Sequence, residues 1–452
     1  MLKISEHFEY YYSDHINTLH KLANWESYYD LEDKTDVIFF DPEEQYACVS
    51  LRLRKENEQH QCSITSSYYI GLDKFSKFKL PVYIQPKLNN EDYQLNYIQM
   101  LLEALKEPEN FEHLEGLLLV KFDDPWIEIE NELLPELTPF LIAQFLATVK
   151  LLVKKGLKKS YYHKTESLSG RIKGKVLIGR QVKENILKNR LTRTICQYQE
   201  FGFDTEVNQF LKYVLSLLPR HFGDFDVKGN IRLNLEEIWR FCQAGFQQVS
   251  KGTFTKLLYK ENNPFYKQYN LAIQLGNQIL ALQDYNISRN ASQTICKHPP
   301  FWIDMSKLFE LYVFKELRVK FKDDNAVLYH QKYHKQELDF IINANGFKVV
   351  VDAKYKPRYA NGNPNIEDAR QLSGYTRLNK VYEELKINDN SLIPAYLIYP
   401  SNLPAIVEKN SSETKDVFEE PAEASDQLLK GKVRKSTMYR ELYLQQISLP
   451  VI

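Results

Sequence analysis

The chain of 452 residues has few cysteines: five, at positions 48, 62, 196, 242 and 296, with no C-x-x-C pair among them. That spacing argues against a zinc ribbon and against a cysteine-ligated iron–sulfur cluster, and it fits free thiols in a reducing cytoplasm. No apolar run reaches membrane-spanning length; "FLIAQFLATV" is ten residues long and carries Gln144. The stretch "EHFEYYYSDH" near the start lacks the apolar core of an export signal, so a cytoplasmic protein is expected. A phosphate loop is also missing. "GRIKGKV" (170–176) has three residues between its glycines and Val176 after the lysine, where a Walker motif needs four residues and Ser or Thr. Nucleotide binding by that route is excluded. No internal repeat is found.

What is present is an ordinary folded-protein composition, 43% hydrophobic and 26% charged, over a length that predicts two or three domains. The net charge of zero hides an asymmetry. Residues 1–149 carry 12 Lys+Arg against 27 Asp+Glu, whereas residues 150–193 carry 14 against 2. An acidic first third is a poor DNA surface and is suited to meeting a protein. The basic middle is where phosphates are attracted, and Arg171, Lys173 and Lys175 are its candidate DNA-backbone contacts.

The pattern predicts a multidomain α+β protein with three parts: a β-rich N-terminal domain (1–160), a mainly helical, basic middle (161–296) and a C-terminal α/β domain (297–452). Short apolar runs such as "YACVSLRLR" and "LPVYIQPKL" read as strands. From Ser167 to about Phe254 the pattern reads as mostly helical; in "FDTEVNQFLKYVLSLL" (203–218) Asp204 is the expected cap of an apolar stripe. "KHPPFWID" (297–304) reads as a boundary, because its prolines cannot sit inside a helix. The last part reads α-β-β-β-α-β, with a helix at 305–317, strands at 326–331, 337–342 and 348–355, a helix at 366–378 and a strand at 395–399. The charged stretch 407–435 reads as a loop before a final strand. The tryptophans and "NPFY" (263–266) are expected to pack in cores or at boundaries rather than to stack on bases.

The chemistry sits in "KVVVDAKYK" (348–356), a buried strand that ends in a carboxylate and an ammonium. "NANG" joins it to the preceding strand. A four-residue loop at 343–346 would pair 342 with 347 and set 339 opposite 350. Alternation then puts Asp339, Asp352 and Lys354 on one face. Two such carboxylates suit a hard divalent cation, with the Ala353 carbonyl as a further oxygen ligand. The Lys354 ammonium suits orientation of an attacking water and stabilisation of charge on a phosphate oxygen. Glu310 on the preceding helix, and Gln371 and Tyr375 four apart on the following one, complete the set. His330 and His334 are also four apart, but on a strand end and a loop, and are not expected to form a zinc pair.

This constellation resembles the PD-(D/E)XK nuclease superfamily, with the Q-x-x-x-Y element of its RecB-like branch. Leu338 stands where the superfamily's proline precedes the first aspartate, a departure frequent within it. Four further stretches, "YYIGLDKFSKFKLPVYIQPKL", "LSGRIKGKVLIGRQ", "CQYQEFGFDTEVNQFLKYVL" and "DMSKLFELYVFKEL", resemble successive landmarks of the McrC family, the nuclease subunits of McrBC modification-dependent restriction systems. The resemblance implies a Mg²⁺-dependent endonuclease acting on double-stranded DNA. It also implies an N-terminal domain that docks on a separate hexameric AAA+ GTPase, McrB, and stimulates it, which agrees with the missing phosphate loop. A stand-alone repair or recombination nuclease, and a non-catalytic activator of such a motor, remain the alternatives.

Overall fold

In a computed structural model the chain is a mixed α+β protein whose described residues are 1–12, 34–40, 46–56, 59–90, 94–121, 124–130, 137–222, 231–288, 295–323, 325–333, 336–344, 346–356, 365–389, 391–400, 420–421 and 427–451. It divides into two units, one made of Met1–Leu137 with Asn290–Ile452 and one of Thr138–Arg289. Among the described residues no helix is long and apolar enough to cross a membrane. Cys48, Cys62, Cys196 and Cys242 are buried free thiols.

The first unit joins the two ends of the chain through a strand in the middle of a sheet. Phe301–Asp304 pairs with Tyr69–Phe75 on one side and Leu118–Val120 on the other. The segment expected to be a boundary is therefore a core strand. The prolines at 299 and 300 precede it, where no ladder amide is required. Trp302 is fully buried in a cluster with Leu51, Ile64, Phe75 and Val82, and its indole donates to Asp73 Oδ2 at 2.9 Å. Gly71 is what lets this strand approach: a Cβ there would lie 2.1 Å from the Phe301 carbonyl oxygen.

The same unit holds a sheet of seven strands, in the order Val327–Tyr333, Gln336–Ala344, Phe347–Ala353, Ala395–Pro400, Leu442–Ile447, Val433–Lys435 and Glu420–Pro421. Val349, Val350 and Val351 lie in its interior and are buried, as expected for a strand covered on both faces. Phe347–Ala353 pairs parallel with Ala395–Pro400, a pairing that requires a crossover. Helices Ile366–Tyr375 and Asn379–Leu385 provide it, burying Ala369, Leu372 and Val381 against Leu338, Ile341 and Leu397. Helix Met305–Lys320 starts where Asp304 accepts from the Lys307 amide at 2.9 Å. The stretch read as a loop, 407–435, lies mostly outside the described residues, but Val433–Lys435 is a strand.

In the second unit the helical expectation from Ser167 onward fails over two strands, while Ile178–Glu184 between them is helical. Ser160–Ser169 and Arg193–Gly202 are long antiparallel strands, with Lys175–Val176 added at the edge. Ser160–Ser169 alternates in exposure residue by residue, a period of two that its polar composition disguises. Helices Thr138–Lys155, Glu206–Leu217, Ile231–Gly245 and Gln268–Ser288 form the rest. Val207, Phe210, Leu211, Val214 and Leu215 are buried as a stripe. The cap is Thr205, not Asp204: Thr205 accepts from the Asn208 amide, while Asp204 accepts from the amide and hydroxyl of Ser250 at 2.6 and 2.7 Å. Within "NPFY", Phe265 is exposed rather than packed.

Candidate active site

The hairpin that carries the carboxylates closes two residues tighter than the sequence suggests. Ala344 pairs with Phe347 and Ile342 with Val349, and Gly346 takes φ 83° in the turn. Continuing that register sets Asp339 opposite Asp352 rather than Val350. A slip of two keeps every side chain on its face, so the expected convergence survives the wrong register.

Asp339 keeps some accessible surface, while Asp352 is 2% exposed. Asp339 Oδ2 accepts from the Ala353 amide at 2.8 Å. Lys354 Nζ lies 3.1 Å from Oδ1 and 3.0 Å from Oδ2 of Asp352, and its own amide is fixed to the Ile398 carbonyl at 2.8 Å. Burial, and then the charges of Asp352 and Glu310, push the Asp339 carboxyl well above the usual carboxylate range. Burial also raises Asp352, against the pull of Lys354. Lys354 is itself partly desolvated, which disfavours its charge, but Asp352 and Asp339 outweigh that and raise it.

The helix residues arrive where the spacing places them. Gln371 donates to the Tyr375 hydroxyl at 2.6 Å, and Tyr375, raised by burial, also feels the charges of Asp352, Asp339 and Lys354. Glu310 faces the two aspartates closely enough to raise both. Sequence reasoning missed four neighbours. Asp368 and Lys356 form an ion pair at 2.6 Å, and His330 lies 2.7 Å from Glu310 and 2.6 Å from Glu337. Asp368 was findable, since it precedes Gln371 by three on the same helix face. His334, the other half of the rejected zinc pair, lies outside the described residues.

These donors fit a hard divalent cation. Two carboxylates this close repel unless a proton or a cation intervenes. Asp352 Oδ2 is buried and has no hydrogen-bond partner; the Lys354 ammonium beside it makes its hydrogen bond to Oδ1. Among the described residues there is no cluster of three or more His, Cys, Asp or Glu that could hold a metal, so a cation here would rely on the two carboxylates with main-chain and water oxygens.

Arg171 and Lys173 lie in the other unit, exposed in the loop after Ser160–Ser169, and Lys175 is exposed at the start of the edge strand Lys175–Val176. Lys173 Nζ is 3.9 Å from the centroid of the Tyr198 ring. Gly170 and Gly174 have φ 65° and 67°, and a Cβ on Gly174 would lie 2.4 Å from the Gln197 carbonyl oxygen. Gly174 thus allows the chain to fold against its neighbouring strand.

What the fold and this geometry define is a mixed α+β protein with a carboxylate–lysine cluster at the end of a core hairpin. The chain belongs to the McrBC 5-methylcytosine restriction system component family, whose model matches residues 64–400. No functionally curated protein sequence matches it. Two solved structures from Thermococcus gammatolerans are similar to it. One is a half-complex from a tetradecameric assembly of McrB AAA+ hexamers with bound McrC, at 16% identity over 99% of this chain and 94% of that chain, TM-score 0.35. The other is the McrBC complex determined by cryo-EM, at 17% identity over 74% and 89%, TM-score 0.26. TM-scores this low transfer no geometry from one chain to the other.

Proposed function

We propose that the chain is the Mg²⁺-dependent endodeoxyribonuclease subunit of an McrBC-type restriction system, acting in the cytoplasm on double-stranded DNA with a separate AAA+ GTPase. The observation that carries the reading is the meeting of Asp339, Asp352 and Lys354 on one face of a hairpin, with Tyr375 within reach of their charges and Gln371 hydrogen-bonded to it. Asp339, Asp352 and the Ala353 carbonyl would hold the Mg²⁺, which supplies Lewis-acid polarisation of the scissile phosphate and a more acidic water. Lys354, kept charged by its two aspartates, orients that water and stabilises the charge that gathers on a phosphate oxygen as one P–O bond forms and another breaks. The Gln371–Tyr375 pair positions the lysine–carboxylate edge. Glu310 completes the negative side of the site.

Arg171, Lys173 and Lys175 contact the DNA backbone in this reading, and residues 1–160, with their acidic excess, meet the GTPase ring and stimulate it. The solved complexes of McrB hexamers with McrC support a motor partner through the shared family. The test is reconstitution with the AAA+ protein of the same system. GTP hydrolysis should rise when this chain is added, and cleavage of modified DNA should require both proteins, GTP and Mg²⁺. Equal GTPase rates with and without the chain, together with cleavage by the chain alone, would favour a stand-alone nuclease.

A further inference from the structure

His330 is held more firmly than an edge-strand residue needs to be. It sits inside the Val327–Tyr333 strand, bracketed by the pairs Tyr329↔Phe340 and Gln331↔Leu338, so it falls beside Asp339 on the next strand. Its backbone is left-handed, φ 50°, a conformation that a non-glycine residue seldom adopts within a strand. Each ring nitrogen faces a carboxylate: Nδ1 is hydrogen-bonded to Glu337 Oε1 at 2.6 Å, and Nε2 lies 2.7 Å from Glu310 Oε1. The His113 ring lies roughly parallel to it, with 5.9 Å between centroids. An exposed surface ion pair shows none of this. Left-handed non-glycine backbone persists where surrounding contacts over-determine it, and such places cluster at functional sites.

We propose that His330 is a positioning residue of the nuclease site: it fixes the Glu310 carboxylate beside Asp339 and Asp352, with Glu337 holding the ring from the other side. The inference rests on the nuclease reading above. Glu310 lies on a helix separate from the hairpin that bears the two aspartates, and its charge raises both of them. Left to itself Glu310 would swing away from the aspartate charges. The imidazole, with Nε2 2.7 Å from Glu310 Oε1, supplies the opposing contact and holds that carboxylate toward the aspartates. Partners of this kind around a metal site, when removed, typically weaken the metal by roughly 10–100-fold.

The experiment compares wild type with His330→Asn, which tolerates the left-handed backbone but cannot reach both carboxylates, and with His330→Gln, which retains one long donor. Two readouts are taken: Mn²⁺ binding to the protein by titration calorimetry, and the Mg²⁺ dependence of cleavage in the reconstituted complex. His330→Asn should weaken Mn²⁺ binding by about tenfold and raise the half-saturating Mg²⁺ by a similar factor, with the rate at saturating Mg²⁺ changed less. His330→Gln should recover part of both. If His330→Asn does not fold, Glu337→Ala removes the hydrogen bond to the same ring without touching the left-handed residue and should shift both readouts in the same direction. Unaltered Mn²⁺ affinity and Mg²⁺ dependence in a folded His330→Asn protein, with wild type active, overturn the positioning role alone. A wild type that neither binds Mn²⁺ nor cleaves overturns the nuclease reading and this inference with it.

Discussion

The Ala353 amide reaches across the hairpin to Asp339 Oδ2 at 2.8 Å, tying the first carboxylate to the strand that carries the second. Asp339 has that hydrogen bond and a more distant attraction to Lys354, whereas Asp352 has the Lys354 ammonium in direct contact at 3.0 Å. The two aspartates therefore differ in what their removal does to stability.

Asp339→Asn should stabilise the metal-free protein. Its folded pKa is raised, so the ionised form at neutral pH weakens the fold, and an uncharged amide relieves the repulsion from Asp352 and Glu310. A higher urea midpoint than wild type is expected at neutral pH. Asp352→Asn should stabilise less, because the raised Asp352 carboxyl is offset by Lys354, which loses its nearest carboxylate. Equal effects of the two substitutions would mean that the charges are not arranged as described.

Lys354→Ala should abolish turnover and leave Mn²⁺ binding largely in place. Lys354 pairs with Asp352 but does not itself supply a metal-binding oxygen. Loss of Mn²⁺ affinity as large as that in Asp352→Asn would show that the lysine acts by shaping the metal site rather than on the reacting water.

The site is more legible in the sequence than the fold that carries it. Asp339, Asp352 and Lys354 follow from alternation, which tolerates a register error of two, and Gln371 and Tyr375 from helical spacing. His330 escapes notice because its spacing from His334 raises the question of zinc, while its actual partner, Glu310, lies on a different element. The strand at 160–169 escapes notice because its faces are mostly polar, with Leu168 its one buried side chain, and that at 193–202 because its buried Ile195, Cys196 and Tyr198 break strict alternation. The role of Phe301–Asp304 as a middle strand is hidden for a different reason. Its partners, near 70 and 118, lie more than 180 residues away, and no local pattern reports so distant a pairing.

Neutralising Arg171, Lys173 and Lys175 together should weaken DNA binding and flatten its salt dependence. The slope of log affinity against log salt falls by about 0.9 for every phosphate that the protein no longer neutralises. An unchanged slope would return this exposed turn to the role of a solvated surface.

Glu6 supplies a pH test of the first unit. Burial lifts its carboxyl from 4.5 to about 7, against the pull of Lys87, whose amide donates to Oε1 at 3.2 Å. The folded value lies above the unfolded one, so this contribution to stability is fully present below about pH 4.5 and is lost as pH rises through about 7. Glu6→Gln should remove that slope and raise stability above pH 7 by on the order of 3 kcal/mol. Urea midpoints at about pH 5 and pH 8 check it; a Glu6→Gln protein with the wild-type pH slope would contradict the assignment.

The most direct test of the account is cleavage of modified DNA by the reconstituted complex in GTP and Mg²⁺, with wild type set against Asp339→Asn. The substitution leaves the hairpin, Lys354 and the acidic N-terminal region untouched. The account predicts that cleavage is lost while stimulation of the partner's GTPase stays at the wild-type level. Cleavage by Asp339→Asn at the wild-type rate would contradict it.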